Sequence, residues 1–112
     1  MSKEVLDFVL KTLDKAVVTD VAVYDMKDYT PYYDWSVICS VSSSRQGNAA
    51  MSYLKKDADE MGLSVRCSSV FAETRWFLVD LGSIVVHIFV SDERGRYNLD
   101  GIYSNQLVSD LE

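Results

Sequence analysis

The chain has 112 residues, 48% of them hydrophobic, with one proline, one histidine and a formal net charge of −6. That length and apolar content fit one domain with a real core. The negative field repels phosphate backbones, which disfavours direct nucleic-acid specificity and leaves a basic partner the better fit.

Val5, Phe8, Val9, Thr12, Leu13 and Ala16 recur every three to four positions, which predicts an amphipathic first helix that Ser2 can cap. Glu4 and Asp7 break any signal-peptide pattern, and no apolar window is long enough to span a bilayer, so a cytoplasmic protein without membrane contact is expected. Thr19-Asp20 interrupts the helix, and Val21 to Tyr24 reads as a short strand in which nearly every residue could be buried. Asp25 to Asp34 is an aromatic-rich loop in which Pro31 forbids a central strand. Its tyrosines read as packing over the sheet edge, with partner contact as the alternative.

Trp35 to Val41 is the next strand. Ser43 and Gln46 then fit a capping box, and Ala49, Ala50, Tyr53, Leu54, Ala58 and Met61 form the apolar stripe of a second helix. Gly62 is placed to end it in the left-handed conformation, with Leu63 supplying the accompanying apolar contact. Ser64 to Val70 alternates as a strand with Val65 and Cys67 on one side, and Phe71 to Thr74 connects it onward. Cys39 and Cys67 both sit in apolar runs, which suits free thiols in a reducing compartment better than a disulfide.

Two apolar runs, Arg75 to Leu81 and Ile84 to Val90, flank Gly82-Ser83, and a glycine-led two-residue loop predicts a type II′ hairpin. Alternation then puts Phe77, Val79, Leu81, Ile84, Val86 and Ile88 on one wholly apolar face. The opposite face is mixed, pairing Trp76 with Phe89, Leu78 with His87 and Asp80 with Val85.

The charged run from Ser91 to Arg96 reads as a turn, followed by a helix carrying Leu99, Ile102 and Tyr103 that Gly101 shortens. Residues 105–112 are expected to be a loosely docked tail after a domain of residues 1–104. The element order predicts an α/β fold, one mixed β-sheet with helices packed on it.

Little of this patterning suits catalysis. His87 has apolar neighbours on its face and reads as a structural or contact residue; Asp80, one pair away, would raise its pKa if the groups approached. Ser42-Ser43-Ser44 lies between a strand and a helix, where amides could meet a phosphate, yet it holds no glycine and serves equally as a helix cap. Asp57 and Asp59 diverge on a helix, and Asp25 and Asp28 straddle a strand end, so neither pair is a convincing metal clamp.

Asp20 to Asp25, Asp34 to Ser40, Ser44-Arg45-Gln46, Arg75-Trp76 through Gly82, Val85 to Phe89 and Arg94 to Tyr103 together resemble the Iojap family, the ribosomal silencing factors. The likeness is collinear from the first helix to Tyr103. It departs at Val41, where the family usually has glycine, at Ser83 (aspartate), at Tyr103 (tryptophan) and at Ser36, where phenylalanine is common. The resemblance implies a nucleotidyltransferase-like sheet without the active site. It also implies binding to a ribosomal protein on the subunit-joining face of the large subunit, a steric block to joining, and repression of translation when nutrients are short. The family's contact surface includes the positions of Trp76 and Asp80.

The expected contact set is therefore Trp76, Leu78, Asp80, His87, Phe89 and Tyr97. Its expected partner is a basic ribosomal protein of the L-fourteen class, with no catalysis, cofactor or metal, and with a homodimer when free. The rival reading is a magnesium-dependent, nucleotidyltransferase-like enzyme that binds nucleotides.

Overall fold

The computed structural model describes residues 2–69, 75–91 and 93–108. The cap expected of the Ser2 side chain, the Phe71 to Thr74 connection and the last four tail residues lie outside what is described. Five strands, β1 (Thr19–Asp25), β2 (Trp35–Val41), β3 (Arg66–Ser69), β4 (Trp76–Asp80) and β5 (Ile84–Val90), form one sheet in the order β1-β2-β5-β4-β3. The β2–β5 pair is parallel and the other three are antiparallel, so the sheet is mixed as expected.

Helices α1 (Ser2–Lys15) and α2 (Ser44–Glu60) cover one face. Val37, Cys39, Phe77, Val79, Ile84, Val86 and Ile88 point at them and meet Leu6, Val9, Leu13, Ala50, Leu54 and Ala58 in one core. The apolar stripe of α1 is centred on Leu6, Val9 and Leu13, while Val5 and Phe8 are only half-buried. Between the helices, the Thr12 hydroxyl donates to Asp57 Oδ2 at 2.7 Å and Lys15 Nζ lies 3.0 Å from the same oxygen. Both cysteines are free; burial closes off Cys39 and pushes its thiol up to about 12.

The start of α2 realises half of the capping box. Ser43 Oγ accepts from the Gln46 amide at 3.1 Å, but the Gln46 side chain reaches one residue further back, its Oε1 taking the Ser42 N–H and hydroxyl at 2.8 Å each. Its end is as expected: Gly62 has φ +75°, and the Leu63 amide closes on the Ala58 carbonyl at 2.9 Å.

β1 contains the strand expected over Val21 to Tyr24, with no residue of that stretch exposed, and starts two residues earlier. It is an edge strand, irregular between Thr19 and Ala22, with Asp20 at φ 52°; Val23 and Tyr24 are buried, whereas Thr19 and Asp20 are exposed. An edge strand has one neighbour to hide against, and here its first two residues are left in water.

The second face of the sheet has its own smaller core of Tyr24, Met26, Ile38 and Phe89, with Ala22, Tyr33, Trp76, Tyr97, Leu99 and Tyr103 packed around it. Its lid comes partly from a segment expected to be a turn and partly from the short helix expected around Leu99 and Ile102. Residues from Glu93 form helix α3 (Glu93–Tyr97), separated by left-handed Asn98 (φ 53°) from α4 (Leu99–Ile102). Glu93 holds Arg75 at 3.2 Å and Arg96 at 3.7 Å, so the charges that read as a solvated turn anchor a helix start. Beyond a 3-10 turn at Ser104–Gln106, Leu107 bridges Tyr24 and the Val108 amide donates to the Val23 carbonyl at 2.8 Å. The segment expected to dock loosely from 105 is thus tied along β1 as far as Val108. In the tyrosine loop, Tyr29 packs edge-on against Tyr103 at 5.4 Å and Tyr33 joins the small core, while Tyr32 stands 84% exposed.

Candidate protein-docking surface

Alternation along the strands assigns the second face. The hairpin pairs as expected, Trp76 with Phe89, Leu78 with His87 and Asp80 with Val85, and Gly82 takes φ +88° with the Leu81 amide bonded to the Ile84 carbonyl at 2.8 Å. Two rows run across this side: Tyr24, Ser36, Val85, Asp80 and Arg66 across all five strands, and Ala22, Ile38, His87 and Leu78 from β1 to β4. The lid of α3 and α4 and the Tyr24–Met26 stretch close the β1–β2 side. Over β4 and the adjoining part of β5, Trp76, Leu78, Asp80 and Val85 are half-buried, and Arg66 is exposed.

Trp76 sits where the lid meets this open area. Its ring lies 4.9 Å from Phe89 and 4.7 Å from Tyr97, centroid to centroid, and its Nε1–H donates to His87 Nδ1 at 3.2 Å. The structure therefore gathers Trp76, His87, Phe89 and Tyr97 into one aromatic cluster, with Leu78 paired beside it and Asp80 two residues along the strand. Of the six expected contact residues, Trp76, Leu78, Asp80 and Tyr97 have surface to offer. Phe89 has none, because Trp76 and Tyr97 cover it, and His87 is 7% exposed. Those two form the floor of the surface and cannot be placed among its contacts.

The approach of Asp80 that would raise the His87 pKa is not made. Burial alone pushes the imidazole down to about 4, opposite in sign to a carboxylate effect. Asp80 is engaged elsewhere, its Oδ1 accepting from the Gly82 amide at 2.9 Å, so part of its role is to fasten the hairpin turn. Across from Asp80 stands Arg66, and the two line a shallow cavity of ≈ 210 Å³ with Ser64 and Gly82. Arg66 escaped the sequence reading because the register of β3 on β4 had no signal beyond a weak alternation. Tyr97 was singled out, but its place against Trp76 depends on α3.

The residues weighed for phosphoryl chemistry have structural duties. The Ser42 amide and hydroxyl are taken by Gln46, and Ser43 caps α2. Asp57 ties α2 to α1, its carboxyl held below the usual range by Thr12 and then Lys15. Asp25 bonds the Lys27 amide at 3.0 Å.

A face of this kind, part apolar and edged by opposite charges, is suited to protein contact. Comparison with known proteins supplies the family. The family model described as "Ribosomal silencing factor during starvation" matches residues 1–112. Ribosomal silencing factor RsfS of Bacillus subtilis is 36% identical over 110 residues, covering 98% of this chain and 93% of that protein. The chloroplastic protein Iojap of maize is 30% identical over 95 residues, 85% of this chain and 41% of that protein. A crystal structure from Bacillus halodurans superposes with a TM-score of 0.82 at 33% identity, over 96% of this chain and 98% of that one. The chain belongs to the family of ribosomal silencing factors.

Proposed function

We propose that this protein represses translation as a plug, acting without catalysis in the cytoplasm. Trp76, Leu78, Asp80 and Tyr97 dock on a basic protein of the large ribosomal subunit, of the L-fourteen class, at the face where the small subunit must join. The bound domain then occupies volume the small subunit needs. The observation that carries this reading is Trp76: a large aromatic, only partly buried and backed by a buried aromatic floor, bordered by Leu78 and Asp80, has the make-up of an interface anchor. A net charge of −6 favours a basic partner.

The test is direct. The protein should co-sediment with isolated large subunits and, at saturation, lower the yield of joined ribosomes when small subunits are added. A normal yield with the protein bound would contradict the steric mechanism, and failure to co-sediment would contradict the partner. Without ribosomes, a second copy is expected to cover the same apolar patch, so the mass in solution should be that of a dimer that gives way to subunit binding.

A further inference from the structure

Docking through Trp76 needs the indole to be presented in one orientation, and the structure holds a specific means of doing so. Tryptophan on an open sheet face has several side-chain rotamers, and freezing them on binding weakens association. Here the Trp76 Nε1–H reaches His87 Nδ1 at 3.2 Å, on the residue diagonal to it across the hairpin. His87 is itself immobilised. It is 7% exposed, lies between Ile38 and Leu78 in its row, and stacks within 9° of parallel on Phe89 at 6.3 Å. An imidazole that accepts at Nδ1 carries its proton on Nε2. Around it stand Ile38, Leu78, Phe89 and Trp76, none of them charged, and burial alone keeps it neutral in ordinary buffers.

We propose that His87 is the positioning residue for Trp76: its bare Nδ1 accepts the indole proton from below and fixes the ring as a preformed anchor for the ribosomal partner. His87 need not touch that partner. The proposal rests on the docking surface described above, so its tests separate the two.

The single histidine makes the first test possible in the unaltered protein. Long-range nitrogen–proton correlations of the imidazole at neutral pH should show a proton on Nε2 and none on Nδ1; a proton on Nδ1 would overturn the proposal. The second test uses Trp35→Phe as background and excitation at the red edge of the indole band, where the seven tyrosines do not absorb, so that Trp76 is the one emitter. His87→Leu keeps the site apolar without an acceptor, and should increase quenching of Trp76 by acrylamide and lower its anisotropy. His87→Asn, whose amide oxygen is placed near the position of Nδ1, should restore both towards the background. Unchanged quenching and anisotropy in His87→Leu, with a folded circular dichroism spectrum, would overturn the proposal.

Affinity for isolated large subunits should fall roughly three- to tenfold in His87→Leu and recover in His87→Asn. If Trp76 loosens while affinity holds, the hydrogen bond positions the ring but the docking surface is wrong. If affinity falls while Trp76 remains equally fixed, the docking surface survives and the positioning role is wrong.

Discussion

Arg94 grips Asp100 at two points, with Nε 2.9 Å from Oδ2 and the second terminal nitrogen 3.0 Å from Oδ1. The Tyr24 hydroxyl donates to the same carboxylate, and the other Arg94 terminal nitrogen reaches the Asp20 carbonyl and Ser40 Oγ. The Arg94 bonds hold the Asp100 carboxyl below its usual range, and burial raises the Tyr24 phenol to about 12. This network matters because α3 and α4 are far too short to be stable as isolated helices. It bolts the lid to β1 and β2, and the lid carries Tyr97 against Trp76.

Asp100→Asn removes the charge from this clamp while keeping its shape. Charge-assisted hydrogen bonds are worth more than neutral ones, and the pair is partly solvated, so the loss should be about 2 kcal/mol. A urea midpoint reads it. Amide exchange should accelerate over residues 93–103 more than over β2, because the lid opens before the sheet does.

Gly47 on α2 faces the ring of Phe77, and a Cβ there would stand 2.3 Å from Phe77 Cε2. Gly47→Ala gains about 1 kcal/mol in helix propensity. Against that, Phe77 is fully buried and has no room to retreat, and overpacking costs about 1–3 kcal/mol. The clash should win. Thermal unfolding should show a lower midpoint for Gly47→Ala, by a few degrees.

The buried imidazole makes stability depend on acid. His87 titrates at about 4 in the folded chain and at about 6.5 when unfolded, so between these values the unfolded chain binds more protons. Its contribution is at its full value above about pH 6.5 and is lost as pH falls towards 4, a change on the order of 3 kcal/mol. Denaturant midpoints of the native chain and His87→Leu across that window should diverge in slope, with the variant flatter. Parallel slopes would place the histidine in water.

Much of the docking face was legible because a hairpin advertises itself. Alternation in Trp76 to Asp80 and Ile84 to Val90, with glycine where a positive φ was needed, determined both register and face. The ends of α2 were legible for the same local reason, through Ser43 and Gly62. What escaped was tertiary. A five-residue helix has too few turns to display periodicity, so Ser91 to Arg96 looked like a charged turn, and without α3 nothing indicated that Phe89 was covered. The direction of the His87 shift was not legible, because strand pairing names the nearest carboxylate, Asp80, but does not measure burial.

Trp76→Ala in a subunit-joining assay, beside Tyr53→Ala as an exposed control on α2, the helix that covers the opposite face of the sheet, tests the central claim most directly. Truncating an interface anchor typically costs about 2 kcal/mol or more, roughly thirtyfold in affinity. The account predicts that Trp76→Ala, folded by circular dichroism, loses co-sedimentation with large subunits and permits joining, while Tyr53→Ala does neither. Full binding and full inhibition by folded Trp76→Ala would contradict it.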